Sequence, residues 1–431
     1  MNSNQIQGMG LGMLSRFAQS SWPDRFGIRK PFERLLYSGS KAGFQLAGVA
    51  ARQFSKGSSL DKTQRLPSAP KGLFDLSLTE EQQMMRETLQ RFARDVLRPA
   101  AHQSDHDAVF PDSIRTQSLE LGLNFYAVPE ALGGMAAEQS VVTNMLAAED
   151  LGYGDFSLAA SILAPMGVAN ALTRWGSKVQ QEIYLPAFAS ETPPQACIAV
   201  MEAEPLFNPF LLSTTALHTG NEYVISGEKS LVIHGATAEL LLVAALLDGK
   251  PAVFIVRGGS EGLSFREEQG MGLKAAQTVT MHLDNVIGEK LGEDDFDYTT
   301  FLDLSALAWC ALALGTSQSV LDYVIPYCNE RVAFGEPISH RQSVAFIIAD
   351  MAIELESMRM MVWRAAALAE AGKPFHREAY LARLLCAEKT MKIGTDGVQL
   401  LGGHGFTKEH PVERWYRDLR AVGVMHGGLH L

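Results

Sequence analysis

Val398–Gly428 reads VQLLGGHGFTKEHPVERWYRDLRAVGVMHGG. A helical period runs into three glycines, Gly402, Gly403 and Gly405, and then into Pro411 and a run of mixed charge. Glycines at this spacing let the backbone approach a phosphate-bearing group, or simply turn one helix into the next; the residues alone leave both open. His404, His410 and His430 read as surface or turn histidines. They lack the carboxylate or Cys partners of a metal centre, so no metal is expected.

Upstream of this segment the chain is helical in period, over Phe301–Arg331, Gln342–Ala371 and Arg377–Leu401. Before that the period changes to two. Ala196–Met201, Thr214–His218, Tyr223–Ser226, Leu240–Leu247, Val253–Val256 and Val279–Leu283 are short β-rich runs, separated by turns such as Gly220-Asn221 and Asp248-Gly249. Their spacing predicts a small β-barrel or sandwich over 191–294. Residues 75–190 return to the helical period. Thr79 and Gln82 have capping-box spacing, and Met84, Met85, Leu89, Phe92, Ala93, Val96 and Leu97 follow as a helix expected to end near Pro99. Further helices are expected around Ile114–Gly122, Val141–Leu151 and Leu158–Trp175. The fold class is therefore mixed α and β, mainly α: a helical domain, a middle β-domain, and a C-terminal four-helix-bundle domain over 295–431.

At 431 residues the chain is long enough for several subdomains, and 47% hydrophobic with 20% charged residues is globular composition. A net charge of −11, without a basic stripe in the globular part, gives no support to nucleic-acid binding. Cys197, Cys310, Cys328 and Cys386 lack disulfide or zinc spacing and fit a reducing compartment. No uninterrupted apolar run approaches the roughly 18–20 residues that span a bilayer. Residues 1–74 differ. The first sixty hold eight Lys or Arg (Arg16, Arg25, Arg29, Lys30, Arg34, Lys41, Arg52, Lys56) against Asp24 and Glu33, and 57–74 is a Ser-, Pro- and Gly-rich linker. That extension reads as a mitochondrial transit peptide, as a basic arm on a membrane surface or partner subunit, or as a partly ordered tail. The compartment expected is a bacterial cytoplasm, or the mitochondrial matrix if the extension is a transit peptide.

Three stretches carry a family resemblance. Val398–Gly428 resembles Q-x-x-G-G-x-G-(5)-P-V-E-R-(2)-R-D followed by E-G-T or E-G-A. Arg331–Gln342, RVAFGEPISHRQ, resembles R-x-x-F-G-x-x-(4)-Q, and Leu78–Gly134 includes LGLNFYAVPEALGG. The pattern is similar to that of the flavin-dependent acyl-CoA dehydrogenases over about residues 75–431. This resemblance implies FAD, an acyl-CoA thioester, a base for the α-proton and a flavin accepting the β-hydride. It implies FAD contacts from Arg331, Phe334 and Gln342 and from Gln399, Gly402 and Gly403, made across a subunit boundary in a dimer or tetramer. It places Met201 and Ile233 against the flavin ring, Asp303 and Gly427 beside the substrate, and His426 at the position of the usual glutamate base. Electron-transfer flavoprotein is the acceptor the family commonly uses.

Departures cluster at the ring and the base. Ala199–Asn208, AVMEAEPLFN, stands where the family has A-L-T-E-P-G-A-G-S-D, so Met201 and Phe207 replace hydroxyl residues. Leu231-Val232-Ile233-His234 stands for W-I-T-N. Three or four lost hydrogen bonds at about 1 kcal/mol each would weaken FAD by about two decades unless backbone amides compensate. The alternative base position of the family falls on Ser305, which cannot act unaided. His426, Asp303 or no group at all then takes the proton. The expected function is FAD-dependent α,β-dehydrogenation of an acyl-CoA. The alternatives are a catalytically silent subunit paired with an active paralogue, or different chemistry on a CoA thioester.

Overall fold

The computed structural model describes residues 77–136, 139–220, 222–293 and 296–431; the basic extension and linker lie outside the described residues. The first helix, α1 (Glu80–Phe92), opens with the expected capping box. The Gln82 amide donates to the Thr79 hydroxyl at 3.2 Å and the Thr79 amide to Gln82 Oε1 at 3.0 Å. It does not end at Pro99. A π-helical turn at Ala93–Leu97 leads directly into α2 (Arg98–Asp107), with Pro99 in its first turn. The π-turn shifts the hydrogen-bond register just before the proline, and the chain stays helical past it.

Then come α3 (Asp112–Glu120), the single turn α4 (Leu123–Tyr126), α5 (Val141–Gly154), α6 (Phe156–Trp175) and α7 (Lys178–Phe188). Helix α6 is capped by Asp155, whose carboxylate accepts from the Leu158 amide at 3.0 Å.

Seven strands follow: β1 (Ala196–Ala199), β2 (Thr215–Thr219), β3 (Glu222–Ile233), β4 (Leu240–Leu247), β5 (Lys250–Arg257), β6 (Leu263–Glu267) and β7 (Thr278–Lys290). Neighbouring pairs run β4–β2, β2–β3, β3–β7, β7–β5 and β5–β4, so the sheet closes on itself as a barrel. Strands β1 and β6 add to β4 and β7. Closure removes the unpaired edge that a sheet this size would otherwise expose. Alternate residues Leu241, Val243 and Ala245 of β4 and Phe254 and Val256 of β5 fill the interior. Strand β3 runs far past the expected Ser226, because register shifts after Ile225 and after Lys229 absorb its irregular stretches. Strand β6 was not expected from the sequence, since Arg266 and Glu267 interrupt its apolar alternation.

The chain then forms α8 (Tyr298–Glu330), the two-stranded hairpin β8 (Val332–Ala333) and β9 (Glu336–Pro337), α9 (Gln342–Glu370), α10 (His376–Leu401), α11 (Val412–Leu419) and the turn α12 (Ala421–Val424). By length and composition α6 and α8 could cross a bilayer, although polar residues interrupt both and neither is a continuous apolar run. Their apolar windows are nevertheless 89% buried within the protein, as core helices are. Helices α5 and α8 touch at glycines: a Cβ on Gly315 would lie 1.9 Å from the Glu149 carbonyl oxygen, and one on Gly152 2.4 Å from that of Leu312. Backbone meets backbone there. One apolar core runs through both helical regions and the β1/β4 face, so all three layers share it.

Candidate active site

The three layers converge on the segment after α12. Gly427 (φ +72°) lies against the barrel, where an added Cβ would fall 2.3 Å from Val200 Cγ2. Its carbonyl accepts the Trp309 indole N–H of α8 at 2.7 Å. Gly428 (φ +84°) passes beside Ile233, Trp309 and Met425. Both positive φ values favour glycine, which accounts for the Gly-Gly pair after His426.

His426 is partly buried, with the Phe207 ring edge-on at 5.7 Å. Arg383 of α10 faces both ring nitrogens, at 3.1 Å from Nδ1 and 2.9 Å from Nε2, and also donates to the Met425 carbonyl at 3.1 Å. A guanidinium only donates, and neutral imidazole has a single acceptor nitrogen, so Arg383 occupies that lone pair. Burial, and then the Arg383 charge, pull the imidazole down to about pKa 3. His426 is therefore neutral at physiological pH, but a much weaker proton acceptor than an imidazole of ordinary pKa.

The other base candidates are further constrained. Asp303 is buried on α8 and paired to His376 at the start of α10, Nδ1 to Oδ2 at 2.8 Å. Burial raises its pKa against the opposing pull of His376. Ser305 is buried with its hydroxyl unpartnered.

The wall at Met201 and Ile233 is apolar. Ile233 is fully buried and Met201 is 8% exposed. The expected compensation by backbone amides is limited, because Ser230 N donates to the Met201 carbonyl at 2.9 Å, Leu231 N to Glu268 at 2.7 Å and His234 N to the Ala276 carbonyl at 3.2 Å. Beneath the wall lies a buried ion pair, Lys229 Nζ to Glu202 Oε1 at 2.7 Å, with Glu202 also accepting the Ser213 and Thr214 amides. Loss of water lowers the Lys229 pKa to about 8 despite that partner.

The remaining expected cofactor residues lie elsewhere, on the surface. Arg331 caps α8, Phe334 (φ +55°) is 95% exposed on the β8–β9 hairpin, and exposed Gln342 opens α9. Gln399 ends α10 exposed, and Gly402 (φ +59°) and Gly403 have nothing within 4 Å of an added Cβ. A single protomer does not bring these groups to the ring wall. Met201 and Ile233 supply no side-chain hydroxyl, and the exposed groups would meet a dinucleotide only from outside the protomer.

The histidines need two corrections. His430 is neither a surface nor a turn histidine. It is fully buried between Trp175 (5.1 Å) and Phe301 (5.2 Å), with both ring nitrogens unpartnered and its pKa lowered by burial to about 3. Leu429 and Leu431 drag it inward, and no polar signal in the sequence marks this. Near the glycines, Glu409 does supply a carboxylate beside His404 and His410, all within 4.8 Å, although His410 Nδ1 is engaged by the Tyr323 hydroxyl at 2.7 Å. Arg383 was also missed. It shares a helical face with buried Ala379, Ala382 and Cys386, a charge on an apolar stripe that sequence periodicity can detect.

Comparison with known proteins gives three consecutive family matches. They are described as "Acyl-CoA dehydrogenase, N-terminal domain" over residues 79–192, "middle domain" over 197–286, and "C-terminal domain" over 297–428. The chain is 31% identical to the mitochondrial short-chain specific acyl-CoA dehydrogenase of Rattus norvegicus, covering 82% of this chain and 88% of that one. It is 29% identical to acryloyl-CoA reductase (NADH) of Anaerotignum propionicum, over 82% and 92%. Among solved structures, butyryl-CoA dehydrogenase from Megasphaera elsdenii superposes with a TM-score of 0.75 at 27% identity, over 81% and 95% of the two chains.

Proposed function

Since this chain belongs to the acyl-CoA dehydrogenase family, we propose that it is a flavin-dependent oxidoreductase of an acyl-CoA thioester, with His426 facing the substrate α-carbon. The carrying observation is the position of His426–Gly427 at the junction of barrel, α8 and α10, with Val200 on one side and Trp309 on the other. Arg331, Phe334, Gln342, Gln399, Gly402 and Gly403 would hold the dinucleotide of a neighbouring protomer, and Met201 and Ile233 would face the ring. Bound FAD supplies the hydride acceptor for the β-hydrogen. The chain's own residues supply the rest. His426 takes the α-proton once Arg383 releases its lone pair, and Phe207 shields it from water. A separate flavoprotein takes the electrons.

One observation favours a second reading, a silent subunit partnering an active paralogue: Arg383 occupies the lone pair that a base needs. Anaerobic bleaching of the flavin by acyl-CoA, in wild type and in His426→Glu, separates the two. Bleaching that falls in the variant supports His426 as the base. Bleaching seen only in the variant supports the silent subunit.

A further inference from the structure

The turn that joins α10 to α11 carries two histidines and a glutamate, His404, Glu409 and His410. We infer that these three side chains form a binding site for a divalent transition metal ion of the zinc class, and that the ion clamps the two ends of the turn together. The inference stands apart from the function proposed above, since it uses none of the side chains assigned to flavin or thioester.

The backbone of the turn is held by the protein itself. Gly405 is buried against α10, where an added Cβ would fall 2.2 Å from the Val398 carbonyl oxygen. The His404 carbonyl accepts the Thr407 amide at 3.2 Å and the Thr407 hydroxyl at 3.0 Å. The Pro411 carbonyl accepts the Arg414 amide at 3.1 Å as α11 begins. This path brings the two imidazoles edge to face, with centroids 5.4 Å apart and planes at 88°. Tyr327 of α8 lies beside both rings, at 6.5 Å from His404 and 5.6 Å from His410.

One ligand atom from each of His404, Glu409 and His410 lies within 4.8 Å of the other two. His404 Nδ1 stands 4.0 Å from Glu409 Oε2, and these side chains are 46% and 76% exposed, so both are free to turn. Zinc bonds of about 2.0–2.2 Å set tetrahedral ligand atoms about 3.4 Å apart, which leaves rotation only about 1 Å to close. The third ligand is already oriented, because the Tyr323 hydroxyl of α8 lies 2.7 Å from His410 Nδ1. With Nδ1–H donating to that oxygen, the Nε2 lone pair is left for the ion, as second-shell partners arrange for metal-bound imidazoles. Two imidazoles and one carboxylate select zinc-class ions over Mg²⁺ and Ca²⁺, which take all-oxygen sets. Three protein ligands leave a further position for water. Among the described residues no other three His, Cys, Asp or Glu side chains come this close. His282 and Glu228, 3.8 Å apart, are only a pair. An ion on all three ligands ties the turn Gly402–Phe406 to the start of α11 and fixes it from both ends.

The test is calorimetric titration of zinc into the full chain, stripped with EDTA and desalted, with thermal melts confirming that each variant folds. Wild type should take up one ion per chain in a saturable step that excess Mg²⁺ does not displace. His404→Ala and His410→Ala should each weaken that step by about a hundredfold, and Tyr323→Phe, which keeps the ring, by about tenfold. His282→Ala should leave it unchanged. Zinc should also slow amide hydrogen exchange across residues 402–411 in wild type and not in His410→Ala. No saturable uptake by wild type, displacement by Mg²⁺, or affinity unchanged in His404→Ala or His410→Ala overturns the site. Affinity unchanged in Tyr323→Phe removes Tyr323 from it, and uptake without slower exchange overturns the clamp.

Discussion

At the scale of the residue, the contact between His426 and Arg383 is the central observation. The position of His426 was legible, because the motif ending in Met425-His426-Gly427 fixes it by sequence order. Its state was not, because Arg383 arrives from a helix 43 residues away and only the packed fold brings the two together. Arg383→Met should raise the His426 pKa from about 3 toward the ordinary 6.5, since it removes the opposing charge and leaves only burial. An NMR titration of the labelled imidazole reads this directly; no upward movement would mean that burial alone sets the value. His426, His430 and His234, the last held near 4 by burial, share one pH consequence. Their folded pKa values lie below the unfolded 6.5, so between about 3 and 6.5 the unfolded chain binds more protons. Stability is full above pH 6.5 and falls as pH drops, by about 1.4 kcal/mol per pH unit for each such histidine. His430→Phe should flatten that acid limb in urea melts, and an unchanged limb would show that His430 contributes nothing to it. Asp418 acts in the opposite sense. Burial, with Asp155 nearby, raises its pKa from 3.8 to about 7, so its contribution is full below about pH 3.8 and is lost as pH rises from there to about 7. Asp418→Asn keeps an acceptor for the Leu273 amide, 2.7 Å away in the native protein, and should be more stable than wild type at pH 8, with the difference shrinking as pH falls toward 4.

At the scale of the element, the sequence speaks most clearly where one period persists. The runs in α8, α9 and α10 gave boundaries within a few residues, since their apolar stripes continue to the ends. It fails where local chemistry is overridden. Pro99 reads as a stop but sits in the first turn of α2, and the end of β3 was hidden by bulges that interrupt its alternation. The α5–α8 contact was also invisible, because nothing in the chain says that Gly152 and Gly315 face each other. Gly315→Ala should force these helices apart at a cost of about 1–3 kcal/mol, seen as a lower midpoint in denaturant. Beneath the ring wall, Lys229→Met leaves Glu202 buried without its cation and should cost about 3–5 kcal/mol. A loss below 1 kcal/mol would mean that the Ser213 and Thr214 amides satisfy Glu202 unaided.

For the whole molecule, the order of helical, barrel and helical layers was readable from the change in period. The junction between them was not, since Trp309, Val200, Arg383 and His426 come from four separate parts of the chain. The residues expected to hold the cofactor show the same limit: six of them are exposed or open on one protomer, and sequence order alone does not say what they face. Phe334 and Phe406, 95% and 94% exposed, lie on the hairpin and glycine turn that carry those residues. The most direct measurement of the whole account is the visible spectrum of the full-length protein, refolded with FAD, desalted, and then treated anaerobically with butyryl-CoA. The account predicts a retained flavin band that bleaches on addition of the thioester. Colourless protein, or a flavin band that no acyl-CoA bleaches, would contradict it.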